Sequence, residues 1–344
     1  MEKLYSNEIV FRGHPDKMCD QFSAAILDAC LAQDKGTHAG IECMAKNDRV
    51  FVCGELTTGA KIDIPAIVNR VAHDIGYEND FKVETEISLQ SQDINQGVSK
   101  EDEGAGDNGM MFGYACSDTP QMLPKAMVIL QRFAKEYDNL IQSQRKAGGG
   151  PFKPDGKAQI TGVYDKDFNL IRIKDFVICY CNDEKNRWVC DQLLTHMARE
   201  CADGIEIENI LINPTGKFEL GGPWADCGLT GRKIVVDSYQ SFADVGGGNF
   251  NGKDPSKVDI SGAYKAREIA KKYVKEKKLR WCEVQLSYAI GVALPCALYI
   301  DSDKGVFLPN DDLLAECKPA NIIKDLRMLY LNYEEKARFG HFSD

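Results

Sequence analysis

The strongest constraint on the fold of this chain is an order of helix, strand pair and helix that occurs three times. The strand pairs begin near residues 41, 158 and 281, and a segment with the 3.6-residue apolar period of a helix lies before and after each pair. The turn-forming pair Asn47-Asp48 separates the first two strands. The predicted strand pairs are 41–56, 158–181 and 281–301, and the predicted helices are 19–33, 63–76, 120–147, 188–203, 261–279 and 311–329.

This order predicts an α/β fold, of α+β type, built from three similar helix–hairpin–helix units with mixed sheets. The units are expected at 1–98, 105–219 and 220–344, with boundaries that allow the units to be interleaved. Helices would cover one face of each sheet. Because an uncovered apolar face must pack on another unit or another subunit, we expect an oligomer of identical chains.

The net charge of the chain argues against two classes of partner. The 344 residues include 42 Lys and Arg against 52 Asp and Glu, which gives a formal net charge of −10. General nucleic-acid binders and membrane-surface binders usually carry an excess of basic residues, so we expect neither nucleic acid nor membrane as a partner. The most apolar stretch, 287–300, is also too short to span a membrane.

The cysteines indicate a reducing compartment. There are 13 of them, an odd number, and the absence of any C-x-x-C pair argues against both a zinc framework and a disulfide scaffold. Residues 1–17 contain no apolar segment of the kind that a secretory signal needs. We therefore expect a cytoplasmic protein in which most cysteines are small buried apolar side chains.

The first candidate for chemistry is Gly13-His14-Pro15-Asp16-Lys17, just before the first predicted helix. An imidazole, a carboxylate and an ammonium group at a helix N-terminus could form a phosphate or metal site, because the free backbone N–H groups there favour an anion. The alternative is structural, with Asp16 as the helix cap and His14 as an ordinary surface residue. The pentapeptide alone leaves both interpretations open.

A second candidate is the glycine-rich segment 246–255, which nearly matches the phosphate-loop pattern G-x-x-x-x-G-K-[ST]. Asp254 and Pro255 disagree with that pattern, so a standard phosphate loop is not expected. Lys253 and Lys257 could still hold phosphate or carboxylate charge. A flexible linker is the alternative.

A third candidate is the glycine-bearing loop 221–233, which ends in Arg232 and Lys233 before a predicted strand at 234–237. A guanidinium fork beside an ammonium group suits a polyphosphate, and a plain surface loop is the alternative. In the first hairpin, Glu42 and Glu55 are each best interpreted singly as ordinary exposed carboxylates. The remaining histidines lack the spacing of a protein-only transition-metal site.

Together these segments resemble the S-adenosylmethionine synthetase (methionine adenosyltransferase) family. The matching stretches follow the family order and cover nearly the whole chain: GHPDK at 13–17, GELTT at 54–58, DINQGV at 93–98, GAGDNGMMFGYA at 104–115, INPTGKFELGGPWADCGLTGRKIVVD at 212–237, GGGNFNGKDPSKVD at 246–259 and SYAIGVA at 287–293. The resemblance implies three similarly folded units. It also implies ATP and methionine as substrates, and a homodimer or homotetramer with active sites at the subunit interface.

The resemblance also assigns roles to single residues. His14 would donate to, or stabilise, the O5′ leaving oxygen, Asp16 and Asp259 would bind two Mg²⁺, and Glu42 would belong to a K⁺ site. The groups implied around the nucleotide and its triphosphate are Lys157, Arg232, Lys233, Lys253, Asp155, Gly156, Lys217, Phe218 and Asn249. Those implied around methionine are Glu55, Gln90 and Lys257, with Asp226 close to both substrates and Asp107 in a mobile gate over the site.

Some positions depart from the family pattern. Lys217 stands where the family usually has Arg, Ile260 replaces a common Arg, and Asn249 and Asn251 replace small residues in the glycine-rich segment. Because the charged site residues are all present, we expect an active methionine adenosyltransferase. The alternative is a non-catalytic or regulatory paralogue that binds nucleotide.

Overall fold

The computed structural model describes residues 2–90 and 104–343, and the strands of these residues form three sheets. The strands are β1 (Lys3–Val10), β2 (His38–Lys46), β3 (Arg49–Thr57), β4 (Lys82–Ser88), β5 (Gly109–Cys116), β6 (Phe152–Tyr164), β7 (Leu170–Asn182), β8 (Ile207–Ile212), β9 (Gly228–Leu229), β10 (Trp281–Tyr288) and β11 (Ala297–Ser302). The α-helices in these ranges are α1 (Pro15–Gln33), α2 (Ile64–Ile75), α3 (Lys125–Lys146), α4 (Arg187–Ala202), α5 (Ile234–Asp237), α6 (Val258–Lys277), α7 (Asp311–Glu316), α8 (Pro319–Asp325) and α9 (Tyr333–Phe339).

Each sheet contains one antiparallel hairpin, as the three strand pairs predict. The hairpins are β2–β3, β6–β7 and β10–β11. Asn47 adopts the left-handed conformation in the β2–β3 turn, with φ of 53°, which asparagine tolerates better than most residues. The prediction of three hairpins is therefore confirmed.

Each sheet also contains a strand from a distant part of the chain. Strand β1 pairs antiparallel with β6, β5 with β10, and β9 with β2. The strand before the first helix thus joins the middle sheet, the strand before α3 joins the last sheet, and a strand near residue 228 joins the first sheet. The units are therefore interleaved in a cyclic order, and their boundaries at 1–98, 105–219 and 220–344 stay a prediction.

The leading helix of each unit packs in the same way. Helix α1 contacts β2 and β9, α3 contacts β6 and β1, and α6 contacts β10 and β5. In each case the helix covers one hairpin strand and the strand that comes from elsewhere in the chain. The predicted α/β fold of three similar helix–hairpin–helix units with mixed sheets is confirmed, since β4 and β8 add parallel edges to β3 and β7.

Two predicted elements differ from the structure. The predicted helix 311–329 is broken into α7, α8 and a short 3₁₀ turn at Met328–Tyr330, because Pro319 cannot continue a helix and begins a new one. The predicted strand 234–237 is wrong. These residues form α5, in which Val236 and Asp237 are buried, so tertiary packing overrides the strand propensity of Ile-Val-Val.

All thirteen cysteines are free thiols, and nine of them are buried, in agreement with their predicted role as apolar side chains. The buried apolar residues form two clusters. One lies around α1, α6 and the first and last sheets, and the other lies around α3, α4 and the middle sheet. Within residues 2–90 and 104–343, no helix has both the length and the apolar character required to cross a membrane.

Candidate active site

Helix α1 begins with the pentapeptide that the sequence singled out. His14, and not Asp16, is the N-cap: its Nδ1 accepts a hydrogen bond from the Asp16 backbone N–H at 3.2 Å, and Pro15 occupies the first turn. The structural interpretation with Asp16 as the cap is therefore wrong. Since Nδ1 accepts, a neutral His14 carries its proton on Nε2. Burial, aided by the charge of Lys233, lowers the pKa of His14 to about 4, so the ring is neutral at pH 7.

The Asp16 carboxylate is buried and shared between two elements. Its Oδ1 accepts from the Leu229 backbone N–H at 2.9 Å, and its Oδ2 accepts from Lys233 Nζ at 2.5 Å. Burial acts to raise the pKa of Asp16, but the hydrogen bonds from Lys233 and Leu229 outweigh it, and the pKa lies below its usual range. The predicted metal ligand is therefore an ionised carboxylate that already has a cationic partner.

Strand β9 and helix α1 position the loop that carries Arg232 and Lys233. The side chain of Asp20, one turn along α1 from Asp16, accepts from the Gly231 backbone N–H at 2.8 Å. Arg232 is half exposed, and its Nε lies 3.8 Å from Asp16 Oδ1. Two cations therefore converge on the start of α1, which makes this loop more than a plain surface connection.

Lys157 and Asp226 complete what we call the His14 group, which consists of His14, Asp16, Lys157, Asp226, Arg232 and Lys233. Lys157 lies on β6 opposite Val10 of β1, and both it and Asp226 are exposed. The charges of both side chains act on the His14 ring. The predicted nucleotide residues of this group are thus brought together.

Asp155 and Gly156, just before Lys157, pack tightly beneath the group. A Cβ on Gly156 would lie 2.5 Å from the Cys179 backbone oxygen, so only glycine fits. Asp155 Oδ2 accepts from the Gly222 N–H at 2.6 Å, and burial raises the pKa of Asp155 to about 6. This carboxyl borders a cavity of about 400 Å³ that is also lined by Tyr77 and Trp224.

The cavity is joined to the start of α1, because the Tyr77 hydroxyl donates to the Gly13 carbonyl at 2.7 Å. Phe218 lies farther along the chain, where its carbonyl accepts from the Asn182 N–H at 2.9 Å. Lys217 is exposed and forms a 2.5 Å ion pair with Glu219. Its substitution for Arg therefore affects a solvated position.

A second set of predicted residues surrounds Lys253. Gly40 of β2 lies opposite Glu55 of β3 and also forms a bridge with Lys253, so the backbones at Glu55 and Lys253 lie about 10 Å apart, one on each side of Gly40. Lys253 Nζ forms a short ion pair with Asp259 at the start of α6. Helix α6 begins at Val258 and not directly after Lys253, which agrees with the expectation that this loop is not a standard phosphate loop.

Lys257 and Asp107 lie beside that ion pair. Lys257 Nζ donates to Asp254 Oδ2 at 2.9 Å, and a Cβ on Gly106, next to Asp107, would lie 3.0 Å from the Ser256 carbonyl oxygen. Asp107 is exposed, and its Oδ1 accepts from the Asn108 N–H. Asp107 belongs to the loop predicted as a gate, and the preceding residues 91–103 lie outside the described residues.

Gln90 and Glu42 differ sharply in environment. Gln90 is 5% exposed, and within the described ranges neither atom of its side-chain amide has a hydrogen-bond partner, as suits a residue that binds a polar ligand. Glu42 is exposed on β2, opposite Cys53 and two positions from Gly40. We call the set of Glu42, Glu55, Gln90, Asp107, Lys253, Lys257 and Asp259 the Lys253 group.

The described residues contain no group of three or more His, Cys, Asp or Glu side chains arranged to hold a metal ion. Asp16 and Asp259 are instead single carboxylates, each beside a lysine. Magnesium in proteins is commonly bound by one or two carboxylates together with phosphate oxygens of a substrate. The donor set therefore fits a metal that a bound polyphosphate helps to hold.

Comparison with known proteins identifies the family. The chain matches the descriptions "S-adenosylmethionine synthetase, N-terminal domain" over residues 2–101, "central domain" over 102–218 and "C-terminal domain" over 220–344. The chain belongs to the S-adenosylmethionine synthetase family. A protein from Salinispora arenicola named S-adenosylmethionine synthase is 38% identical over 99% of this chain and 93% of that protein. Proteins of the same name from Treponema denticola and Bifidobacterium adolescentis are 39% and 38% identical, with 93% of each covered.

The S-adenosylmethionine synthetase family uses divalent metal ions, in agreement with the single carboxylates at Asp16 and Asp259. The three sheets of this family member also agree with the three family domains. The resemblance that the seven sequence stretches indicated is therefore confirmed.

Sequence reasoning missed several buried polar residues that hold these elements together. Lys17 is fully buried and bonds Asp237 Oδ1 at 2.5 Å, although the two residues are 220 positions apart. His341, near the C-terminus, is also buried, and Asp237 lies in a segment that the sequence assigned to a strand. The one available signal was a charged or polar residue inside an otherwise apolar helical pattern, as at Lys17 in α1.

Proposed function

We propose that this chain is a methionine adenosyltransferase, which forms S-adenosylmethionine from ATP and methionine. The methionine sulfur attacks C5′ of the ribose and forms a sulfur–carbon bond. The C5′–O5′ bond breaks, and its electron pair leaves with the triphosphate. Water then cleaves the triphosphate in the same site to pyrophosphate and phosphate. The observation that carries this proposal is the neutral imidazole of His14 beside Asp16 and two cations, in a chain that matches the family over its full length.

His14 would act on the leaving oxygen. Its Nδ1 is held by the Asp16 N–H, so its Nε2–H is the group available to donate to O5′ as negative charge develops there. The low pKa of His14 makes it a neutral hydrogen-bond donor at pH 7. A fixed donor that needs no reorientation lowers the barrier for loss of the triphosphate.

The cationic side chains would bind the triphosphate, which carries about four negative charges at neutral pH. Lys157, Arg232 and Lys233 would contact it from the His14 group, and Lys253 would contact it from the Lys253 group. A phosphate oxygen competes with Asp16 for the ammonium of Lys233, and it competes with Asp259 for Lys253. Asp155 and Gly156 before Lys157, together with Lys217, Phe218 and Asn249, would form the rest of the nucleotide pocket.

Asp16 and Asp259 would hold Mg²⁺, two ions in all, and Glu42 would contribute to a K⁺ site. Mg²⁺ supplies positive charge that neutralises and orients the triphosphate when it is bound. Each carboxylate that loses its lysine to a phosphate gains a cation, so charge stays balanced inside the buried site. The exposure of Glu42 suits a weakly held monovalent ion.

Methionine would bind to the Lys253 group. Glu55 would take the ammonium group of the amino acid, Lys257 its carboxylate, and the unpaired amide of Gln90 would add a hydrogen bond. Asp226 would lie close to both substrates. Asp107 would lie in a gate over the site that excludes water, which competes with sulfur as a nucleophile.

We also propose that the protein is a cytoplasmic homodimer or homotetramer with active sites at the subunit interface. Membership of the family supports an arrangement in which one subunit's His14 group faces the Lys253 group of another. Sedimentation of the purified protein together with activity against concentration would test this. A fully active monomer would contradict it.

The enzymatic test is an incubation of the purified chain with ATP, methionine, Mg²⁺ and K⁺. We expect a sulfonium product by mass spectrometry and equal amounts of pyrophosphate and phosphate. His14→Ala should slow sulfonium formation far more than it weakens ATP binding, whereas His196→Ala, a change at an exposed helix position, should be neutral. Absence of the sulfonium, or ADP as the main product, would refute the proposal. Activity only after addition of a second subunit would favour the regulatory paralogue.

A further inference from the structure

A continuous chain of buried polar side chains runs through the centre of the molecule. Lys17 Nζ contacts Asp237 Oδ1 at 2.5 Å and Asp20 Oδ2 at 3.2 Å. Asn251 Nδ2 donates to Asp237 Oδ2 at 2.8 Å, and Asn251 Oδ1 lies 2.9 Å from Nε2 of His341. Lys17, Asp237, Asn251 and His341 are each at most 2% exposed, so water does not satisfy these groups.

The direction of each hydrogen bond follows from Asp237. A carboxylate that pairs with Lys17 accepts only, so the Asn251 amide must present its NH₂ to Asp237 and its oxygen to His341. His341 therefore carries its proton on Nε2 and accepts through Nδ1 from the Tyr264 hydroxyl at 2.9 Å. Burial lowers the pKa of His341, which agrees with this neutral tautomer. Asn251 can make both bonds in only one orientation.

Apart from His341, the members of this network lie within five residues of a proposed site residue in the sequence. Lys17 follows Asp16, Asp237 is four residues after Lys233, Asn251 is two residues before Lys253, and Tyr264 is five residues after Asp259. The first two belong to elements of the His14 group and the last two to elements of the Lys253 group. Asn251 joins the two halves of this hydrogen-bonded network.

The neighbouring asparagine strengthens this junction. Asn249 Oδ1 accepts from the Asn251 N–H at 3.0 Å, and Asn249 Nδ2 donates to the Asn251 carbonyl at 2.7 Å. A Cβ on Gly231, next to Arg232, would lie 2.9 Å from the Asn249 Cβ. The glycine-rich segment is therefore fixed on both sides of Phe250, and a flexible linker does not describe it.

We propose that Asn251 is a positioning residue for the proposed reaction: by bridging Asp237 and His341 it holds Lys253 in place relative to the elements of its own subunit, and so fixes how Lys253 is presented to the interface site that it would enter. His341 is the second positioning residue, because its Nε2–H holds the amide of Asn251 in the one orientation that serves Asp237. The C-terminal segment thereby takes part in the geometry of a site formed by residues far from it in sequence. This inference rests on the proposed function only for its kinetic test.

The test compares Asn251→Ala with Asn69→Ala. Asn69 is a matched control, since its side chain also makes two hydrogen bonds, to the N–H and carbonyl of Phe81, on a helix that carries no proposed site residue. We expect kcat of Asn251→Ala to fall about tenfold or more, with the KM for ATP changed less than about threefold, because the substrate still binds but reacts from a misaligned position. Asn69→Ala should keep kcat within about twofold at a similar loss of Tm.

Variants at His341 give a second, independent comparison. His341→Gln retains a donor towards Asn251 and an acceptor for Tyr264, whereas His341→Leu retains neither. We expect the Gln variant to keep most of kcat and the Leu variant to match Asn251→Ala. An unchanged kcat in Asn251→Ala, an equal loss in Asn69→Ala, or equal kcat in the two His341 variants would each overturn the inference.

Failure of the proposed function would be recognised separately, because the wild-type chain would then form no sulfonium. In that case hydrogen exchange decides the structural part of the inference. Amides of residues 247–253 must lose protection in Asn251→Ala and keep it in Asn69→Ala. Unchanged protection in Asn251→Ala would overturn the inference without any reference to catalysis.

Discussion

At the scale of single residues, the proton on His14 is placed by the backbone of the helix that it begins. The Asp16 N–H occupies Nδ1, and burial disfavours the charged ring, so the imidazole is a neutral donor through Nε2. The same backbone start also places Asp16 towards Lys233. One helix N-terminus thus sets both the tautomer of the donor and the position of the carboxylate.

The first prediction at this scale concerns pH. The pKa of His14 falls from 6.5 to about 4 on folding, so between these values the unfolded chain binds a proton that the folded chain does not. Stability from this group is therefore full above pH 6.5 and is lost as pH falls towards 4. We expect His14→Gln to remove on the order of 2 kcal/mol of the pH dependence of unfolding, measured by urea denaturation from pH 7 to pH 4.5.

The control for this measurement is His196→Gln, on an exposed position of α4. Its unfolding free energy should keep the same dependence on pH as the wild type. If the His14→Gln curve were parallel to the wild-type curve, His14 would titrate equally in both states, and the assignment of a neutral buried ring would be wrong.

A second prediction concerns the Asp16–Lys233 pair. Asp16→Asn should lower the free energy of unfolding by about 2 kcal/mol, because it leaves a mostly buried ammonium group without its charged partner. Lys233→Met should also destabilise, by leaving the carboxylate with weaker partners. The double variant should lose clearly less than the two single losses combined, and additive losses in chemical denaturation would contradict a direct pair.

The charged residues of the proposed site could be singled out from the sequence because their motifs are short and contiguous, as at 13–17 and 246–259. The buried network could not. Its bonds join Asn251 to His341 across 90 positions and Lys17 to Asp237 across 220. A single sequence carries no local pattern that reports such a contact, and the nearest sign was a lysine inside the apolar face of α1.

At the scale of elements, strand β5 lies very close to helix α6. Gly113 of β5 faces the α6 backbone, where an added Cβ would lie 2.0 Å from the Ala266 carbonyl carbon. Strand β5 can therefore approach α6 this closely only at a residue without a side chain. This contact packs the last sheet against the helix whose first turn contains Asp259.

Gly113→Ala should force β5 away from α6 and lower the free energy of unfolding by about 3 kcal/mol. Gly40→Ala is the matched control, because Gly40 is also a strand glycine and a Cβ there meets no atom within 4 Å. Thermal and urea unfolding would measure both. Equal stability of the two variants would show that the packing of β5 on α6 is looser than described.

Local elements were predictable to the extent that their signals are local. The hairpins follow from alternating apolar residues and the Asn47-Asp48 turn, and helix ends follow from prolines and glycines. The pairing of β1, β5 and β9 with hairpins from distant parts of the chain was not predicted. Strand β9 consists of Gly228 and Leu229 alone, too short for any period, and its place is set by pairing with Met44 and Ala45.

At the scale of the whole molecule, the sheets do not follow the order of the sequence. Ile9 of β1 lies in the apolar cluster of the middle sheet, whereas Ile41 of β2 lies in the cluster shared by the first and last sheets. Both side chains are fully buried. Ile9, near the N-terminus, is therefore part of a core whose other strands, β6 and β7, lie more than a hundred residues later in the sequence.

This arrangement predicts which strands lose hydrogen-exchange protection when a core residue is truncated. Ile9→Ala should cost about 3 kcal/mol and reduce hydrogen-exchange protection mainly in β6 and β7. The matched variant Ile41→Ala should cost a similar amount but reduce protection in β2 and β3. Loss of protection in β2 and β3 after Ile9→Ala, with β6 and β7 unaffected, would contradict the placement of β1 in the middle sheet.

The pairing of strands that are far apart in the sequence also has a consequence for biosynthesis. The hairpin of β2 and β3 leaves the ribosome long before β9 at residues 228–229 is made, so the edge of β2 stays open in the meantime. At the usual rate of translation this interval lasts roughly 10 to 40 s. An open strand edge is a template for pairing with other chains. Newly made copies of this protein therefore depend, for that interval, on protection by a chaperone or on rapid completion of the chain.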